Sequence, residues 1–136
     1  MITYAVKKVR NPKYPEVDYF NGRAVKTGEY SFSELAEDIN NSTTVTKADA
    51  LAVLASIKPF VTKALLAGQV VVLDDLGRFQ VTLQGKCYNR ETMASEEFSP
   101  SAMIKSHRIV FRPEANLKKD VAKNLRLKRI SSDVLE

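Results

Sequence analysis

The hydrophobic pattern changes period several times along the chain, and each change marks an element. Residues Ile2–Arg10 alternate loosely, with Ile2, Tyr4 and Val6 on one side and Thr3, Ala5 and Lys7 on the other, which predicts a strand. Asn11–Glu16 carries two prolines and no period, so it predicts a loop; Tyr19–Thr27 predicts a second strand, closed by a turn at Gly28. The period then becomes helical. Ser31 with Glu34 is a capping box, followed by the apolar stripe Leu35, Ala36 and Ile39 and an end at Asn40-Asn41-Ser42. Thr46 with Asp49 repeats the cap ahead of a longer helix carrying Ala50, Leu51, Val53, Leu54, Ile57, Val61, Ala64 and Leu65. These positions cover more than one face, so the helix is expected to be buried on two sides, which in so small a chain implies a second subunit. Pro59 is expected to kink or break it, and Gly68 to cap its C-terminus.

Alternation returns in Val70–Leu73 and Phe79–Leu83, and Asp74-Asp75-Leu76-Gly77 between them predicts a β-hairpin. Gly85–Ser106 is rich in Ser, Glu and Met without a strong period, and predicts a long connection. His107–Arg112 predicts a strand, and Pro113 the start of a helix with Leu117, Val121 and Leu125 at steps of four. The division that follows is an N-terminal β extension over 1–30, a main domain over 31–127 and a C-terminal tail over 128–136.

Composition adds little until charge is placed on this map. The chain has 136 residues and a formal net charge of +5, but between 105 and 129 it carries nine Lys/Arg against two Asp/Glu, while residues 31–84 are slightly acidic. Basic charge at the two ends serves phosphate binding, through counterion release, or simply solubility; charge alone does not choose. A single cysteine, Cys87, excludes an internal disulfide and a cysteine zinc site. No stretch has the length of a signal peptide core or a membrane span, so a soluble cytoplasmic protein without a membrane partner is expected.

Catalytic chemistry finds no support. His107 is the only histidine and has no cysteine or second histidine beside it for a metal. Asp74 and Asp75 are neighbours on a tight turn and point apart, which suits a polar turn better than a carboxylate pair. No P-loop, dinucleotide fingerprint or nucleophile elbow is present. No enzyme, metal, cofactor or small-molecule substrate is expected.

Three local sequences, in order, carry a resemblance. They are Leu65-Leu66-Ala67-Gly68-Gln69-Val70-Val71-Val72-Leu73, then Leu73-Asp74-Asp75-Leu76-Gly77-Arg78-Phe79, then Phe111-Arg112-Pro113-Glu114-Ala115-Asn116-Leu117-Lys118. With the element order from Phe32 to Lys123, the chain resembles the HU/integration host factor family of bacterial architectural proteins. That resemblance implies an α+β fold: two N-terminal helices packed under a small antiparallel sheet, a β-arm and a C-terminal helix, here preceded by a hairpin-like segment. It also implies an intertwined homodimer with a basic saddle, binding double-stranded DNA in the nucleoid without strict sequence preference, and β-arms that wedge into the minor groove.

The residues that correspond to that surface here are Arg78, Lys86, Lys105, Arg108 and Arg112 on the sheet and arm base, and Lys118, Lys119 and Lys123 on the last helix. Lys7, Lys8 and Arg10 are supplementary. Gly77, Phe79 and Leu117 are scaffold, Gly77 through a turn conformation that a side chain would resist. The chain departs from the family at the arm. The Arg-Asn-Pro tip is missing, and Glu91, Glu96 and Glu97 occupy the segment instead. Met93, Phe98, Met103 and Ile104 are more consistent with packing than with a wedge, and weak bending is expected. A dimeric protein-interaction module on the same fold therefore stays open as the alternative.

Overall fold

The computed structural model describes residues 1–135 and, from Met1 to Ile130, their side chains. Two three-stranded sheets organise the chain. The first has the order β2-β1-β6, from β1 (Ile2–Val9), β2 (Tyr19–Ala24) and β6 (Leu127–Leu135). β1 pairs antiparallel with β2 and parallel with β6, with a register shift between Tyr4 and Val6. The N-terminal strand pair is thus as expected. The expected C-terminal tail is instead a strand, because the backbone after Arg126 runs beside β1, where Ile2 N–H donates to the Arg126 carbonyl at 2.8 Å.

α1 (Phe32–Ser42) begins at the capping box, with Ser31 N–H on the Glu34 carboxylate at 2.9 Å and Glu34 N–H on the Ser31 hydroxyl at 3.4 Å. The Tyr30 hydroxyl donates to the Asp38 carboxylate in the second turn, and this bond raises the Tyr30 pKa above its ordinary value. α2 (Lys47–Leu66) starts with Asp49 N–H on the Thr46 hydroxyl at 3.2 Å. It ends in a Schellman motif: Gly68 N–H reaches the Leu65 carbonyl, Gln69 N–H the Ala64 carbonyl, and Gly68 sits at φ +79°.

Of the expected kink or break at Pro59, the break does not occur: α2 runs through it. The proline removes the donor for the Ala55 carbonyl, but Ala- and Leu-rich turns on both sides propagate the helix through it.

The second sheet has the order β3-β4-β5, from β3 (Val71–Leu73), β4 (Gly77–Gln84) and β5 (Ser106–Pro113), all antiparallel. Between β4 and β5 the expected β-arm is absent. Pairing stops at Gln84 and Ser106, and the connection holds a one-turn helix, α3 (Arg90–Met93), and a 3-10 turn (Pro100–Met103). The reason is local: Asn89 caps α3 by accepting from Thr92 N–H at 2.8 Å, and Tyr88 and Phe98 meet edge-on at 5.2 Å, folding the segment back on itself. Phe98 and Met103 are half-buried while Met93 and Ile104 are about half exposed.

Pro113 ends β5 and does not open the last helix. α4 (Ala115–Asn124) starts two residues later, with Glu114 at the cap position.

The core is thin. Among the described residues only Ala5, Ala36, Ala50 and Gly77 are buried, and none of the large side chains is fully buried. α1 and α2 pack against each other, each with one buried alanine, Ala36 on α1 and Ala50 on α2, and with Lys47 and Glu37 paired at 3.8 Å. The C-terminal half of α2 lies against β3 and β4. There an apolar groove of about 430 Å³ stays open, lined by Thr62, Leu65, Leu66, Val81, Leu83, His107 and Ile109. No described helix is long and apolar enough to cross a membrane.

Candidate nucleic-acid interface

Strand alternation sorts β4 and β5 into two chemically different faces. The register pairs Phe79 with Phe111, Val81 with Ile109 and Leu83 with His107 on the face toward α2. Phe79 and Phe111 stack there at 4.9 Å between ring centroids. The intervening positions pair Arg78 with Arg112, Gln80 with Val110, Thr82 with Arg108 and Gln84 with Ser106. Arg78, Arg108 and Arg112 therefore share the outer face, all exposed, with Gln80, Thr82, Gln84, Ser106 and Val110 between and beside them.

Gly77 makes this ladder close at its end, by a mechanism other than the turn conformation expected. The positive φ in the hairpin belongs to Asp75, at +65°, which an aspartate tolerates. A Cβ on Gly77 would instead lie 2.5 Å from the Arg112 carbonyl oxygen and 2.6 Å from the Phe111 ring. The glycine is needed for close approach between β4 and β5.

Arg78 and Arg112 are like charges directly opposite each other, an arrangement that costs stability unless relieved. Glu114, half-buried at the cap of α4, lies 3.4 Å from the Arg78 guanidinium and relieves it. The start of α4 is also tied to the hairpin, through Glu114 N–H on the Leu76 carbonyl at 3.0 Å and the Asn116 amide on Asp75 at 3.4 Å. These bonds hold α4 beside the Arg78–Arg112 end of the sheet. Lys118, Lys119 and Lys123 extend from there, all exposed. Lys119 and Lys123 are four apart and share a helix face.

Lys86 and Lys105 sit at the other end, where Lys105 N–H donates to the Gln84 carbonyl at 2.8 Å. The structure thus places the expected residues at three positions: the lysines on α4, the arginines on the outer sheet face, and two lysines where the connection leaves the sheet. Among the described residues, none of these except Arg78 has a carboxylate at ion-pair distance. Gln80 and Thr82, which the sequence reading did not single out, complete the face; the alternation of Arg78–Gln84 was the signal for them. Among the described residues there is no His/Cys/Asp/Glu group that could hold a metal ion, and Cys87 is exposed.

A family model described as an HU domain fused to wHTH, Ig, or glycine-rich motif (HU-HIG) matches residues 1–129. The chain belongs to the HU-HIG family. The match takes in the β1–β2 pair as well as the HU-like elements, so the N-terminal strands are part of the HU-HIG pattern and not foreign to it. Its small antiparallel sheet, helix pair and closing helix make it a mixed α+β chain consistent with an HU-like fold. A solved structure of a candidate bacterial DNA-binding protein from Bacteroides vulgatus is similar in fold, with a TM-score of 0.61 and 12% identity over 98% of this chain. The HU-HIG chain spans about half of that protein, covering 49% of it. No curated protein matches.

Proposed function

We infer that this HU-HIG chain binds double-stranded DNA through its phosphate backbone, largely independently of sequence, as an architectural protein of the cytoplasmic nucleoid. The observation that supports this reading most is the shared outer face of Arg78, Arg108 and Arg112, back to back with an apolar face. Cations spread over an open sheet suit repeated phosphates, and phosphate contacts carry no sequence information of their own. Lys86, Lys105, Lys118, Lys119 and Lys123 extend the same surface, with residues 31–127 as the DNA-binding unit. Family membership and the fold shared with a candidate DNA-binding protein support the same partner. The chemistry required is charge and shape alone, without an enzyme's machinery, a cofactor or a small-molecule substrate.

The working unit in this reading is a homodimer. Val81, Leu83 and Ile109 on the inner sheet face, with Ile57, Phe60 and Leu66 on α2, are 38–84% exposed in the single chain. A second copy covering them would supply the core that one chain lacks, at about 1.5–3 kcal/mol for each large side chain buried.

Bending is expected to be weak, because the connection is a folded loop with Glu91, Glu96 and Glu97 and not an extended arm. Those glutamates favour a second reading, a dimeric protein-interaction or scaffold module on an HU-like fold. An energy-transfer bend assay on random duplex, run beside affinity measurements, separates the two. Binding with little bend supports the first, and no binding at low salt supports the second. A strong bend lost in Pro100→Ala would show that the connection intercalates.

A further inference from the structure

The basic residues near the two ends of the chain, more than a hundred residues apart, meet in the β2-β1-β6 sheet. Ala5 pairs with Arg23 and Lys7 with Asn21 across β1 and β2, and Thr3 pairs with Lys128 across β1 and β6. Lys7, Arg23 and Lys128 therefore share one sheet face. Lys7 and Arg23 are diagonal neighbours, about 7–8 Å apart at their backbones. All three are exposed.

Their pairing differs from that of the adjacent cation. Lys8, on the opposite face, has its carboxylate in Asp18 at 3.2 Å. Among the described residues no carboxylate lies at ion-pair distance from Lys7, Arg23 or Lys128. Arg23 donates to the Asn21 side-chain carbonyl at 3.3 Å, which orients its guanidinium without neutralising it. Three like charges on one face repel each other in the free protein, and no carboxylate among the described side chains compensates. A polyanion would, by exchanging condensed counterions for these cations.

This cluster lies on the β2-β1-β6 sheet and the arginine face on the β3-β4-β5 sheet, and the two sheets share no strand. We propose that the β2-β1-β6 sheet is a second phosphate-binding surface for double-stranded DNA, so that one chain contacts duplex through two separate faces. The proposal rests on the reading of the arginine face as DNA-binding and adds a second site to it. The spacing of Lys7 and Arg23 suits successive phosphates of one strand, and the extended strand surface suits a long ligand.

The test is a salt titration of binding to a random 30-base-pair duplex. It compares the full chain with Lys7→Gln/Arg23→Gln/Lys128→Gln and with the charge-keeping Lys7→Arg/Lys128→Arg. The neutralised variant should bind at least tenfold more weakly at low salt, with a log–log slope shallower by about 2–3 for each chain bound. It should also lose the capture of a second, fluorescent duplex by protein held on a bead-tethered one. The charge-keeping variant should match the unmodified chain in slope and capture, which separates lost charge from a disturbed sheet. If the neutralised variant keeps the unmodified slope, affinity and capture, the second surface is refuted while the arginine face stands. If the unmodified chain binds no duplex at all, both readings fall.

Discussion

Arg78 and Arg112 face each other across β4 and β5, and the carboxylate that relieves their repulsion, Glu114, belongs to the cap of the following helix. The cap position thus does two things. It starts α4, and it holds one arginine of the outer face in an ion pair that a phosphate would have to replace.

Replacing Glu114 by Gln should therefore strengthen DNA binding. Arg78 would become available without competition and one negative charge would leave the surface, so affinity at low salt should rise several-fold with a steeper salt dependence. Stability should change by about 1 kcal/mol or less, because the pair is open to solvent on its Arg78 side and long, at 3.4 Å. Parallel fluorescence titrations and thermal melts check both. A fall in affinity would mean that Glu114 positions Arg78 for DNA.

Gly77→Ala should do damage out of proportion to one methyl group. The added Cβ meets backbone at Arg112 and the Phe111 ring, neither of which is the loose end of a flexible chain. Overpacking of this kind costs about 1–3 kcal/mol. A lowered melting temperature together with weaker DNA binding is expected, since the shift moves Arg112 itself. An unchanged melting temperature would contradict the close-approach role assigned to this glycine.

The scaffold around these residues was largely legible in the sequence, and the parts that were not have physical causes. Both helix caps, the Gly68 terminus and the β3–β4 hairpin follow from short-range chemistry that a linear reading detects. The arginine face was half visible: Arg78, Arg108 and Arg112 could be named, but their common side depends on the β4–β5 register. β6 was missed because its partner is at the other end of the chain, and parallel pairing leaves no local turn signal. The β-arm was an expectation of resemblance, and the Asn89 cap with the Tyr88–Phe98 contact replaced it by a folded loop. The Pro59 break failed because one lost backbone hydrogen bond does not outweigh good helix formers on either side.

The exposed inner surface leads to a prediction about assembly. Phe60, on α2, is 69% exposed in the single chain. Phe60→Asp should shift the protein from dimer to monomer in light scattering at micromolar concentration, because a charge in an apolar interface has no partner. Phe60→Ala should weaken the dimer more mildly, by about 3 kcal/mol. An unmodified chain that is monomeric at micromolar concentration would contradict the dimeric unit.

The central claim is that the outer face of β4 and β5 meets DNA phosphates. The most direct measurement is binding to random-sequence duplex across a salt series, for the unmodified chain and for Arg108→Glu/Arg112→Glu. With at least six phosphates neutralised per dimer, the log–log slope of the unmodified chain should be near −5 or steeper, with little difference between sequences. The charge-reversed variant, at unchanged melting temperature, should bind more than tenfold more weakly and with a shallower slope. A flat salt response, or equal affinity and slope for both proteins, would contradict the account.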